Sequence, residues 1–156
     1  MHHKNTLITV AVLFAAANPS QGIAAPPDQI TAQQVTEKVA AAHPEITGLE
    51  IAATKSQNEG CKTIAATEAK EVGQKCDKDE LTAIKTNAPF VEKEKDGFDV
   101  TMPLHDSSGT VMGTAGMDFK PTPGQKKSDV VSKAKLIASE LEKRLTSKEQ
   151  LFESAK

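Results

Sequence analysis

The chain has 156 residues, of which 38% are hydrophobic and 26% charged, the size and composition of one ordinary globular domain. Aromatic residues make up 3%, with no Trp and no Tyr, so the core must be built from aliphatic side chains, Met and a few Phe. A formal net charge of -2, without a basic patch, gives no reason to expect nucleic acid or an anionic membrane as a partner.

The N-terminus has the pattern of a secretory signal peptide. The apolar run Leu7–Ala17 has the length of an h-region and is too short to span a bilayer comfortably. Cleavage after Ala24 fits the preference for small residues best, and cleavage after Ala25 is the second choice; a buried N-terminal helix is the structural alternative. We predict a signal peptide at 1–24, one domain at 25–156, no later membrane span, and a periplasmic or secreted location.

The two cysteines are predicted to pair. Cys61 and Cys76 would meet an oxidising compartment after export, and a link between them closes a loop of about 15 residues, worth roughly 3 kcal/mol in the chain-entropy model. Two unpaired thiols are the alternative. The spacing of these cysteines, His43 and His105 matches no common zinc motif, and neither a CxxC nor a haem-attachment motif is present. We therefore predict no metal and no cofactor.

The first half of the mature chain predicts a helix followed by a hairpin. A helical period runs over 31–43, with Thr31 as N-cap and Gln34 completing a capping box. The alternating segments 48–54 and 61–67 are separated by a polar turn, which is the pattern of two paired strands.

The second half predicts helix, meander and helix. Asp77 caps a short helical segment, and 89–119 reads as three strands with turns at Asp96-Gly97 and at 106–109. A long amphipathic helix capped by Ser128 ends the domain. This order predicts an α+β fold: an antiparallel sheet of about five strands with N- and C-terminal helices.

The segment FDVTMPLHDSSGTVMGTAGMDF, residues 98–119, resembles the closing meander of extracytoplasmic PAS-like sensor domains of the Cache or PDC type. Residues 68–94 are similar to the connection of those domains, and the likeness covers roughly 31–145. It implies a pocket between the sheet and the connection for a small polar metabolite. It also implies an exported, single-domain sensor-type module without its own output domain.

Four residues are the candidates for ligand binding. Alternation along the last strand puts Asp118 and Thr114 on its polar face, and alternation along the preceding strand puts Thr101 and His105 together. If this face lines the pocket, Asp118 would hold a ligand amine or hydroxyl. The alternatives are that Asp118 is a solvated strand end and that His105 is a surface or structural histidine.

No catalytic motif is recognisable, so we predict that the chain is not an enzyme. It has no Ser-His-Asp arrangement, paired-carboxylate signature or phosphate-binding glycine loop. The predicted function is an exported small-ligand-binding module. The alternative is an interaction or accessory subunit of a membrane receptor, or a self-associating dimer, acting through a C-terminal helix that continues to Leu151 and Phe152.

Overall fold

The computed structural model describes residues 30–95 and 97–153. Its elements in chain order are α1 Ala32–Ala42, β1 Ile46–Ala53, β2 Lys62–Ala66, a 3₁₀ turn Ala69–Glu71, α2 Lys78–Thr86, β3 Phe90–Glu94, β4 Gly97–His105, β5 Val111–Phe119, α3 Lys127–Arg144 and α4 Lys148–Leu151. The predicted signal peptide and Asp96 of the predicted Asp-Gly turn lie outside the described residues. Among the described residues, none of the helices has both the length and the apolar composition that a membrane span requires.

The five strands form one antiparallel sheet in the order β2-β1-β5-β4-β3. The last strand in sequence, β5, is therefore central, between β1 of the early hairpin and β4 of the meander. The predicted α+β fold with five antiparallel strands and terminal helices is confirmed.

One face of the sheet is apolar and is covered by α1 and α3. Buried side chains of the three central strands meet those of the two helices in a single cluster: Leu49, Ile51, Val100, Leu104, Ala115, Met117 and Phe119 from the sheet, with Val35, Val39, Val130, Ile137 and Leu141 from the helices. Each buried aliphatic side chain of this size contributes about 1.5–3 kcal/mol relative to an exposed one. Ala83 of α2 is fully buried but is not part of this cluster, because α2 packs against β4 and β5 from the other face.

The helix starts follow capping chemistry. The capping boxes predicted for α1, at Thr31 and Gln34, and for α2, at Asp77, are both present. The prediction that Ser128 caps the last helix is wrong, because α3 begins at Lys127 and the Asp129 carboxylate accepts a hydrogen bond from the backbone N–H of Lys126, at 3.2 Å.

The C-terminal residues pack on the domain. The long helix ends at Arg144, and after a short turn α4 brings Leu151 into the core, where it is 3% exposed, with Phe152 packed beside it. The prediction that these two residues continue a helix beyond the domain is wrong. Their apolar side chains add to the domain's own core instead.

The disulfide between Cys61 and Cys76 is present, with the two Cα atoms 5.3 Å apart, which confirms the predicted pairing. Backbone hydrogen bonds support it: Cys76 N–H donates to the carbonyl of Cys61 at 3.1 Å, and Gly73 N–H donates to the carbonyl of Thr63 at 2.8 Å. The bond therefore fastens the 3₁₀ turn and the start of α2 to β2.

Opening this disulfide is expected to destabilise the domain. The double variant Cys61→Ser/Cys76→Ser should lose roughly 3 kcal/mol of unfolding free energy, since the link constrains a short loop of the unfolded chain. Urea denaturation with and without dithiothreitol measures the effect. Reductant should shift the wild-type midpoint and leave the double variant unchanged; a wild-type midpoint that ignores the reductant would contradict the prediction.

Candidate functional site

The face of the sheet opposite the core carries residues in rows that run across neighbouring strands. The row nearest the end of β5 contains Gly48, Asp118, Asp99 and Glu92, the next contains Glu50, Gly116 and Thr101, and the third contains Ala52, Thr114 and Pro103. We call the surface formed by Glu50, Asp99 and Asp118 the acidic face. Three strands thus contribute one carboxylate each.

Two glycines make room for two of these carboxylates. The Asp118 side chain lies over Gly48, where a Cβ would collide with Asp118 Oδ2. Glu50 lies over Gly116, and a Cβ there would sit 2.9 Å from Glu50 Oε1. Thr63 on β2 donates its hydroxyl to Glu50 Oε2 at 3.2 Å. The space that the sequence leaves open at Gly116 is therefore filled by a carboxylate from the adjacent strand.

Burial, with neighbouring like charges, raises the pKa values on this face. Burial, followed by the charge of Asp118, raises the pKa of Asp99 to about 7. Burial also raises the pKa of Asp118, and it raises that of Glu71 together with the charge of Glu50. None of Glu50, Asp99 and Asp118 forms an ion pair with another described residue. The acidic face therefore combines confined negative charge with partial desolvation, an arrangement that favours uptake of a proton or a cation.

The connection between β2 and β3 covers this face. Glu71 in the 3₁₀ turn is close enough for the charges of Glu50 and Asp118 to act on it, and Asp79 in the first turn of α2 acts on Asp99. The helix then runs across β5 and β4. This is the location, between sheet and connection, at which the sequence predicts a ligand pocket.

Three of the four predicted ligand-binding residues share this face. Asp118 remains accessible to solvent in the first row, and Thr101 is buried opposite Gly116 in the second. Thr114 is fully buried in the third row, and its hydroxyl has no hydrogen-bond partner among the described residues. Strand alternation thus places them together, while their binding role stays a prediction.

His105 lies elsewhere. Its Nδ1 is 2.9 Å from Glu142 Oε1 on α3, and its Nε2 is 2.7 Å from Asn87 Oδ1 at the end of α2. A register shift between Leu104 and His105 interrupts the pairing with β5. Simple alternation, which groups His105 with Thr101, fails at this irregularity.

Glu50 and Asp99 are the two residues of the acidic face that the sequence-based prediction missed, and Asp99 is the clearer case. Alternation puts it on the same face as Thr101, so its orientation could be read from the sequence. Its significance depends on the register that sets it directly opposite both Asp118 and Glu92. Residue type alone does not reveal that these acids lie opposite one another.

Within the described ranges, no group of three or more His, Cys, Asp or Glu residues could hold a metal ion.

No family model and no curated protein matches the chain. Solved structures with a similar fold include a GAF sensor protein from Burkholderia vietnamiensis, at TM-score 0.53 and 14% identity over 76% of this chain and 78% of that one. The second GAF domain of DevS from Mycobacterium smegmatis is similar at TM-score 0.54 and 15% identity, over 72% and 92% of the two chains. At these identities the likeness concerns the fold, which is that of GAF domains.

These neighbours correct the predicted family. The resemblance to Cache or PDC domains is wrong, because the structural neighbours are GAF domains, another class of sensor fold. The residues that suggested the resemblance serve the meander itself: Gly109 adopts φ +82° in the turn, and Pro103 lies near the sheet edge. Such features suit antiparallel meanders in general and do not separate one sensor family from another.

The prediction that the chain is not an enzyme is also corrected. A type II free methionine-R-sulfoxide reductase from Thermoplasma acidophilum is among the structural neighbours, at TM-score 0.49 and 13% identity over 72% of this chain and 89% of that one. A lack of recognisable catalytic motifs does not by itself exclude an enzyme. A likeness at this level assigns no activity to the present chain.

The opposed carboxylates are expected to make stability depend on pH. Because folding raises the pKa of Asp99 to about 7, the folded chain retains a proton that the unfolded chain loses near pH 4. The free energy of unfolding contributed by Asp99 therefore falls as pH rises between these values. Asp99→Asn should remove this slope and stabilise the chain at pH 8 by on the order of 1 kcal/mol.

Urea denaturation at pH 5 and pH 8 provides the measurement. Glu149→Gln, which removes an exposed carboxylate from α4, is the matched control and should leave the pH dependence unchanged. If Asp99→Asn is no more stable than the parent at pH 8, the acidic face carries no repulsive cost.

Proposed function

We propose that the chain is a sensor-type module that binds a small cationic ligand, an organic amine, on the acidic face. The observation that carries this proposal is the set of carboxylates on adjacent strands, lying beneath the connection without an ion pair to any described residue. The sensor role is taken from neighbours such as the GAF sensor protein of Burkholderia vietnamiensis and is part of the proposal.

The geometry suits an ammonium group. A primary ammonium has three N–H donors and no acceptor, so it pairs best with several acceptor oxygens. Asp118 offers an accessible carboxylate, Asp99 lies opposite it, and Glu50 is held in the next row by the Thr63 hydroxyl. Each charge-assisted hydrogen bond contributes about 1.5–3 kcal/mol.

Binding of a cation should also relieve the repulsion within the face. An ammonium beside Asp99 favours its ionised form, which lowers its raised pKa and releases a proton at neutral pH. The same negative charge that destabilises the unliganded protein therefore strengthens its binding of the ligand. Affinity for an amine should rise with pH through the titration of Asp99.

Asp118→Asn is expected to weaken amine binding about ten-fold or more, because it removes one charge from the accessible end of the site. Thermal-shift titrations at pH 7.5 with methylamine, putrescine and spermidine give the affinities. Glu149→Gln, an exposed acid away from the sheet, should bind like the parent. Equal affinity in Asp118→Asn and the parent, or stabilisation by succinate in place of amines, would reject the acidic face as the site.

We also propose that residues 1–24 direct export to a periplasmic or extracellular compartment. The disulfide between Cys61 and Cys76 supports this, since such bonds persist in oxidising compartments. Intact-mass measurement of the protein from fractionated cells is expected to find a chain that begins at Ala25 in the exported fraction. A chain that retains its first 24 residues and stays with the cell extract would contradict the proposal.

A further inference from the structure

A cavity of about 370 Å³ lies between α3 and the far end of β4. It exists because β3 pairs with β4 only from Gly97 to Thr101, whereas β4 continues to His105. The edge of Met102–His105 is therefore not covered by a strand. We call this cavity the edge cleft; its volume lies within the range of small-molecule sites.

Glu142 lines the edge cleft and is engaged through one of its two carboxylate oxygens. Glu142 Oε1 accepts a hydrogen bond from the backbone N–H of His105 at 2.8 Å and lies 2.9 Å from His105 Nδ1. The other ring nitrogen of His105 is 2.7 Å from Asn87 Oδ1. With its oxygen directed at the imidazole, Asn87 keeps its amide hydrogens available as donors.

Two further polar side chains of the cleft can donate hydrogen bonds. Lys135 and Ser139 line it from α3, one helical turn apart, so both face the same opening. Lys135 forms no ion pair with any described residue. Beside these groups lies an apolar surface of Pro89, Met102 and Ala138.

We propose that the edge cleft binds a small monocarboxylate with a short apolar chain. The carboxylate would accept hydrogen bonds from the Lys135 ammonium, the Ser139 hydroxyl and the Asn87 amide, while the chain would cover the apolar surface. A planar acceptor group matches the excess of donors, and a charged partner for Lys135 gives the strongest of these bonds. The site selects an anion and is separate from the acidic face, which selects a cation.

The test is an NMR titration of the full chain with sodium hexanoate, following the His105 ring Cε1–Hε1 signal. A saturable shift is expected with hexanoate and not with hexylamine. Lys135→Gln should weaken hexanoate binding about ten-fold or more. Lys133→Gln removes an exposed lysine from the same helix outside the cleft, and it should bind hexanoate like the parent.

Three results would overturn the proposal: no saturable shift of His105 with hexanoate, an equal shift with hexylamine, or unchanged affinity in Lys135→Gln. Circular dichroism of each variant confirms that it is folded. Because the acidic face is tested with amines and with Asp118→Asn, failure of one site is distinguishable from failure of the other.

Discussion

The register of β5 is the constraint on which both the core and the candidate site depend. This strand is central in the sheet, and from Thr114 to Phe119 its residues alternate between two environments. Ala115, Met117 and Phe119 enter the core beneath the helices, whereas Gly116 and Asp118 project to the opposite face. A slip of one residue would exchange the two sets and bury a carboxylate among aliphatic side chains. The forces that fix the core therefore also fix the position of Asp118.

This arrangement retains a charge pattern that works against stability. Asp99 has an acid directly opposite it on each neighbouring strand, Asp118 on one side and Glu92 on the other, and like charges in such positions repel. The repulsion between these directly opposed acids does not stabilise the fold. The apolar core and the disulfide at Cys61 offset its cost, and the pattern is understandable when a binding partner neutralises it.

The local structure was predictable because it depends on neighbouring residues. The capping box at Thr31 and the alternation of β4 and β5 need no information from distant parts of the chain. The site was harder to predict from the sequence, because β1 and β5 pair across more than sixty residues. Only this pairing brings Glu50 over Gly116. The interruption at His105 depends on the same non-local register.

Local features could not distinguish one sensor fold from another, for a related reason. The turn at Gly109 and the edge position of Pro103 report backbone geometry, which antiparallel meanders of different families share. The arrangement of whole elements distinguishes one fold from another, and it becomes visible only when strand order is known. The likeness to GAF domains accordingly came from structures with 15% identity or less.

The helix α2 joins the two candidate binding regions. Asp79 in its first turn acts on the acidic face, and Asn87 at its end contacts His105 in the edge cleft. Nine helical residues span about 13 Å, and Ala83 between them is fully buried against the sheet. The disulfide at Cys76 fastens the chain just before the helix begins. The short helix α2 is therefore held at its start by the disulfide and at its middle by burial against the sheet. Both proposed sites therefore depend on how this one helix is fixed to the sheet, since its first turn borders the acidic face and its C-cap residue borders the edge cleft.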